Sequence, residues 1–154
     1  MKRGLVVILC GAALVHGLLS GCASRPRDGL SPQRNDVVLA SLSQIGTPYV
    51  FGGNEPGRGL DCSGLTQYAH HVAGIQIPRV STEQIKAARP VSGRPPQPGD
   101  MVFFQTEPGQ HHVGIMVDAE RFVHASTSRR QVRVDRLNTP YWQTRYLGAG
   151  TYLD

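Results

Sequence analysis

The segment RPVSGRPPQPGD, residues 89–100, can neither continue a helix nor lie inside a sheet. Its four prolines remove backbone donors and fix φ. It divides the chain into two parts of different periodicity. Before it, three stretches carry helical signals. Asn35 or Asp36 caps a first helix with Val38, Leu42 and Ile45 on one face and Gly46 as its stop. Asp61 caps a second over residues 62–73, ended by Gly74, and Ser81 with Glu83 and Gln84 opens a third over 81–89. The stretch TPYVFGG is short and extended, and Gly52 and Gly53 open a loop that runs to Leu60. After the divide, alternating residues predict strands at 101–105, 112–117, 121–126, 131–135 and around 145–152. Helices first and strands after, without strand–helix–strand alternation, predict an α+β fold: N-terminal helices packed on an antiparallel sheet of about five strands.

The N-terminus follows different rules. Lys2 and Arg3 precede the apolar run GLVVILCGAALVHGLL, and the small residues Ser20 and Gly21 precede Cys22. This reads as a secretory signal over residues 1–21. Its end, LSGC, resembles the lipobox of bacterial lipoproteins, which implies cleavage before Cys22 and acylation of that cysteine. Ala23 follows it, and by resemblance to sorting in enteric bacteria this implies the periplasmic face of the outer membrane. Residues 22–34, polar and rich in Pro, Gly and Ser, are expected to tether the lipid to a domain at 35–154. Of the 154 residues, the 133 beyond the signal suffice for one domain with a core, not two. Without Lys2 and Arg3, 14 basic residues face 11 acidic ones, a net charge of +3. That suits an anionic polymer or substrate but is too weak and scattered for nucleic acid. No phosphate-cradling glycine loop and no internal repeat is visible.

Cys10 leaves with the signal and Cys22 carries lipid, so Cys62 is the one free thiol and no disulfide is available. At the first turn of its helix it meets unpaired amides and the helix dipole, which favour a thiolate; the adjacent Asp61 opposes them and reads as a structural cap. Ser63 and Gly64 keep the turn small and leave room for a substrate. Leu65, Tyr68 or Ala69, and Val72 continue an inward face. A free cysteine here is equally consistent with a small buried hydrophobe. A nucleophile needs a base and the base an orienter. Of six histidines, His16 lies in the signal, while His70 and His71 lie too far along the helix, one expected inward and the other outward.

HHVGIMV and FVHAS remain. A three-residue loop at 118–120 pairs Ile115 with Val123 and Val113 with Ala125. The opposite face then holds His112, Gly114, Met116, Phe122, His124 and Ser126, with His124 opposite Gly114, whose missing side chain makes room for the imidazole. His112 is its diagonal neighbour, Cβ atoms about 7–8 Å away. His111 points the other way. The pattern yields Cys62 as nucleophile, His112 as general base and later acid, and His124 as its orienter. A metal held by Cys62 and both histidines is the lesser alternative, since no carboxylate or further sulfur is placed nearby.

TPYVFGG, GLDCSGLTQY, IPRVSTEQ, PGDMVFF, HHVGIMV and FVHAS, in this order, resemble the NlpC-type cysteine peptidases of bacterial cell walls, a circularly rearranged papain-like family. The resemblance spans roughly residues 36–153. It implies Cys62 as nucleophile, His112 as base and His124 as the third polar residue. It further implies Tyr49 and the backbone at Cys62 or Ser63 as oxyanion donors, and Pro78, Arg79, Ser81 and Thr82 as a cleft wall beside Asp61. The implied substrate is the peptidoglycan stem peptide, cut after D-glutamate or between cross-linked D-alanine and diaminopimelate. No cofactor or metal is implied. Arg58 and Arg79 flank the expected cleft and are candidates for substrate carboxylates. A wall-binding module, an amidase or an acyltransferase of the same fold are the rival readings. The segment STSRRQVRVDR reads as a solvated strand edge. Neither a regulatory partner nor an oligomeric state is legible.

Overall fold

The computed structural model describes residues 29–154; the signal, Cys22 and the tether as far as residue 28 lie outside the described residues. Helix α1 spans Pro32–Leu42. Its cap is Ser31, whose hydroxyl accepts from the Arg34 amide at 3.4 Å, with Pro32 in the first turn, where its missing N–H costs nothing. The expected caps, Asn35 and Asp36, are instead inside the helix. Arg34, expected in the tether, is buried: it donates to Asp100 Oδ1 at 2.8 Å and to the Pro98 carbonyl at 3.0 Å. That anchor pulls residues 32–34 into the fold. Val37, Val38 and Ala40 face inward, whereas Ile45 lies beyond the helix end and is exposed.

A two-residue pair, β1 (Asn54–Glu55) and β2 (Gly59–Leu60), closes the loop before α2 (Cys62–Val72). Asp61 caps α2 through the Gly64 amide at 2.6 Å, as its chemistry predicts. Leu65 and Ala69 are fully buried, but Val72 is half exposed and not part of the inward face. Of the two histidines, His70 is buried and His71 exposed. Helix α3 (Ser81–Ala87) starts one residue before its expected cap could act: Val80 holds the cap position with no side-chain bond, and Ser81 is already helical. Gln84 compensates from the buried side. Its amide donates to the carbonyls of Ser63 and Pro78 and its oxygen accepts from Thr66, pinning α3 to α2.

Arg89 and Pro90, expected at the end of α3 and in the linker, form strand β3 and make the sheet six-stranded rather than five. The other strands are β4 (Met101–Glu107), β5 (Gln110–Met116), β6 (Arg121–Ser126), β7 (Gln131–Arg136) and β8 (Tyr146–Thr151), with a one-turn helix α4 (Pro140–Gln143) between the last two. The order is β3-β8-β4-β5-β6-β7, antiparallel throughout. Alternation buries both faces. Met101, Phe103, Val113, Ile115, Val123 and Ala125 pack against Val37, Leu65 and Ala69 of the helices. Val102, Phe104, Met116 and Phe122 pack beneath Trp142 of α4 on the other face.

One irregularity of the sheet shapes the cleft. The ladder between β5 and β6 joins only Ile115 to Val123 and Met116 to Phe122. The register is the one predicted, but the expected Val113–Ala125 pair is not formed, so the strands part toward His112. The space beside Gly114 also differs from expectation. A Cβ there would lie 2.5 Å from the Phe122 ring and 2.8 Å from the Val123 carbonyl, so the missing side chain admits Phe122 and not the His124 imidazole.

Candidate active site

The start of α2 faces the parted strands. There the Val113 amide, free of β6, turns to the Cys62 thiol, joined by the amides of Cys62 and Ser63 at the helix start. These three donors favour a thiolate. They do not prevail with the cleft empty. Burial first, and the Asp61 carboxylate second, push the thiol up to about 11. The net lowering expected from the helix start is therefore absent, because α2 begins inside the protein.

His112 and His124 meet as the strand parity predicts, through a hydrogen bond of 2.9 Å between Nε2 of the first and Nδ1 of the second. Both rings are buried, and burial lowers the pKa of each; His112 falls to about 3, with His124 adding to the effect and Asp135 opposing it. The resting site is thus a neutral thiol and two neutral imidazoles. Buried charges are costly singly but stabilise each other as a pair, so proton transfer from Cys62 to His112 creates both together.

Two residues here were not singled out in the sequence. Asp135 Oδ2 lies 3.1 Å from His124 Nε2 and accepts from Trp142 Nε1 at 3.2 Å. Trp142 stacks on His112 with centroids 5.6 Å apart and planes within 18°. Asp135 sits in the strand read as a solvated edge. β7 is indeed the sheet's edge, but α4 covers the face that carries Asp135. The available signal was parity carried one strand further: His124 pairs with Arg133, which puts Arg133 and Asp135 on the histidine face. Hydrogen bonding to His124 first, with Arg133 and Trp142 assisting against burial, holds the Asp135 carboxyl down at about 2. Arg133 Nε is 2.7 Å from Asp135 Oδ1, an ion pair by distance whose N–H does not point at the oxygen.

Tyr49, Asp61, Cys62, Ser63, Arg79, Ser81, His112 and His124 all line one open cleft. The backbone of Tyr49 is fixed to the β6–β7 turn, its amide donating to the Arg130 carbonyl at 2.9 Å. Burial first, then the charges of Cys62 and Asp61, raise the pKa of its hydroxyl, which stays a proton donor. Ser63 and Gly64 do not make room for substrate. Ser63 is buried and bonds Asp61, while a Cβ on Gly64 would collide with the Gly53 carbonyl. Arg79 spends both terminal nitrogens within the protein, on Asp61 Oδ1 and Oδ2 at 3.0 and 2.8 Å, Ser63 Oγ at 3.0 Å and Gly53 O at 3.1 Å. Arg58 pairs with Glu55 at 3.5 Å and is not among the cleft-lining residues. Neither of the two expected arginines is therefore free in the cleft to take a carboxylate. Arg129 lines the cleft and has no carboxylate within 4 Å among the described residues. His111 reaches the same rim. Three of the four ring nitrogens of His112 and His124 are spent on each other and on Asp135, so the rings do not converge on a metal with Cys62.

A profile of the NlpC/P60 family matches residues 46–151. The chain belongs to the NlpC/P60 family. Gamma-DL-glutamyl hydrolase of Bacillus subtilis (strain 168) is 40% identical over 115 residues, 73% of this chain and 28% of that protein. Murein DD-endopeptidase MepH of Escherichia coli (strain K12) is 37% identical over 114 residues, 70% of this chain and 42% of that one. The chain thus spans less than half the length of either. An NlpC/P60 protein from Bacillus cereus ATCC 10987 superposes with a TM-score of 0.73 at 33% identity, over 81% of this chain and 42% of its own. Helix α1 precedes the NlpC/P60 match and is joined to it through Arg34 and Asp100.

Proposed function

We propose that this NlpC/P60 domain is a cysteine endopeptidase that hydrolyses peptidoglycan stem peptides, at the γ-D-glutamyl–diaminopimelate bond or the D-alanyl–diaminopimelate cross-link. The observation that carries the reading is one cleft lined by Cys62, at the start of α2, and by the hydrogen-bonded His112–His124 pair. The names of the relatives, a γ-glutamyl hydrolase and a murein endopeptidase, support the substrate class. His112 takes the Cys62 proton as the sulfur attacks the scissile carbonyl. The oxyanion is met by the backbone N–H groups at Cys62 and Ser63 and by the Tyr49 hydroxyl. His112 returns the proton to the departing amine, leaving a thioester on Cys62. It then deprotonates the water that attacks the thioester, and the thiol is regenerated. The Asp61–Ser63–Arg79 network and Ser81 form the cleft wall against which the peptide lies.

The full chain, purified in detergent, is tested on cross-linked peptidoglycan beside Cys62→Ala, with the products read by mass spectrometry. New fragments from the wild type alone support the reading, and their masses name the bond. Binding to the wall without cleavage by either protein replaces it with a wall-binding module. Acylation of Cys22 and attachment to the outer membrane complete the proposal, supported by LSGC and Ala23. Cys22→Ser is expected to move the protein from the membrane fraction to the soluble one; unchanged sedimentation would remove the anchor.

A further inference from the structure

We propose that Asp135 is a positioning residue of this site: through His124 it dictates which nitrogen of His112 carries the proton. Donors and acceptors alternate along one line of four groups, with tautomers assigned from the hydrogen-bond network. The Trp142 indole N–H can only donate, so Asp135 Oδ2, at 3.2 Å, must accept from it. An ionised carboxylate only accepts. The nitrogen facing the same oxygen, His124 Nε2 at 3.1 Å, therefore bears hydrogen. A neutral imidazole with hydrogen on Nε2 has a bare Nδ1. The His112 Nε2 that lies 2.9 Å from it must then be the donor. This leaves the lone pair of His112 on Nδ1, the one ring nitrogen not already engaged by its neighbours, available for the thiol proton.

The reverse chain is penalised. Hydrogen on His112 Nδ1 forces hydrogen onto His124 Nδ1 and aims the bare Nε2 of His124 at a carboxylate oxygen, lone pair against lone pair. It also leaves His112 with no unengaged bare nitrogen to take the thiol proton. Asp135 therefore stabilises the reactive tautomer at rest, and its negative charge stabilises the imidazolium formed on His112 when Cys62 is ionised. Trp142 fixes the carboxylate by its N–H and covers the His112 ring by stacking, so the line is shielded from water by the element that orients it. The same logic explains why an aspartate sits on an edge strand with its charge turned inward.

Other charged and titratable groups face the two rings. From β7 there is Arg133, beside Asp135 and opposing positive charge on His124. The start of α2 contributes Cys62 and Asp61, the segment before β1 contributes Tyr49, and His111 on β5 and Tyr141 on α4 line the rim. Of these, the neighbour that hydrogen-bonds the imidazole line itself is Asp135.

The inference rests on Cys62 and His112 acting as a pair, and its test does not need the natural substrate. The pH dependence of Cys62 alkylation by iodoacetamide is measured in the full chain, in wild type, Asp135→Asn and Asp135→Ala, alongside turnover of peptidoglycan and thermal melting. Asp135→Asn keeps the size and offers a neutral acceptor. It is expected to lower kcat about 10-fold with KM little changed, and Asp135→Ala about 100-fold, the range typical of a group that orients another. In both, the rate of Cys62 alkylation near pH 7 falls roughly 10-fold, because the thiolate forms there only together with the His112 imidazolium, which loses its counter-charge. A merely structural aspartate would change melting and leave that rate in place. A wild-type alkylation rate and kcat in Asp135→Asn overturn the proposal. Should Asp135→Ala fail to fold, Asp135→Asn alone decides. If the wild type turns over no substrate, the peptidase reading fails while the alkylation rates still judge the role of Asp135.

Discussion

Replacing Asp100 with asparagine should loosen the junction between α1 and the sheet and leave the cleft alone. Asp100 is fully buried and accepts from Arg34, Arg94 and the Gln97 amide, while the Arg34 side chain is only 9% exposed. Removing one partner of a buried ion pair generally costs about 3–5 kcal/mol, since the other charge stays behind. Two features place this site at the lower end. Arg34 retains the Pro98 carbonyl at 3.0 Å, and Arg94, a third exposed, can turn to water. A loss of about 3 kcal/mol follows, which for a domain of this size lowers Tm by roughly 10 °C. The pH dependence has a definite sign. Burial raises the Asp100 pKa, but the bonds from Arg94, Gln97 and Arg34 outweigh it and the net shift is downward. The wild-type advantage is therefore complete above the ordinary carboxylate range and fades as pH falls through the lowered pKa. Urea unfolding followed by Trp142 fluorescence, at pH 7 and in steps toward pH 3, reads both. A loss under about 1 kcal/mol at pH 7 would refute the anchoring argument. So would a wild-type advantage that persists undiminished in acid.

Four further outcomes follow from the same contacts. Asp61→Asn keeps an acceptor for the Gly64 amide but removes the second-largest cause of the raised Cys62 pKa, so alkylation of Cys62 should become faster at a given pH; no change would mean the carboxylate does not act on the thiol. Gly64→Ala drives a methyl group into the Gly53 carbonyl and should destabilise by about 1–3 kcal/mol in urea, whereas Ala at Gly29, where a Cβ meets nothing within 4 Å, should be neutral. His70 is held down at about 4, by burial against a bond with the Thr66 carbonyl. An unfolded histidine binds its proton near pH 6.5, so the share of His70 in the acid loss of stability is roughly 3 kcal/mol between there and pH 4, and His70→Phe should make that limb of the urea profile shallower by this amount, the share of the buried His112 and His124 remaining. Arg129→Gln should raise KM about 10-fold for a stem peptide with free carboxylates and leave its amidated counterpart unaffected; equal effects on both would dissociate Arg129 from carboxylate recognition.

The strands β4 to β8 were legible to within two residues as short apolar, β-prone runs bounded by turn residues, since strands buried on both faces keep such runs nearly continuous. The hairpin register from Ile115 to Val123 and the meeting of His112 with His124 came from side-chain parity. What escaped was set by tertiary neighbours. Ser31 became the cap of α1 because Arg34, three residues on, is held by Asp100 far along the chain. β3 is two residues long, one of them proline, and exists through its pairing with β8. Asp135 looked solvated because its cover, α4, is too short to announce itself by periodicity. The pKa of Cys62 followed burial, which a helix-start argument does not contain.

The parted ladder between β5 and β6 has a bearing on when the proposed catalytic set comes together. Cys62 gains its third amide donor from β5, and its proposed base, His112, lies fifty positions away in sequence. Neither exists in an extended chain, where the thiol has an ordinary pKa, no imidazole beside it and no oxyanion donors. An unfolded polypeptide would carry an ordinary thiol, more readily ionised than in the fold but without a base or oxyanion donors. The proposed catalytic set is assembled only when the start of α2 meets the opened sheet, so the machinery and the raised pKa of Cys62 arrive together, with folding.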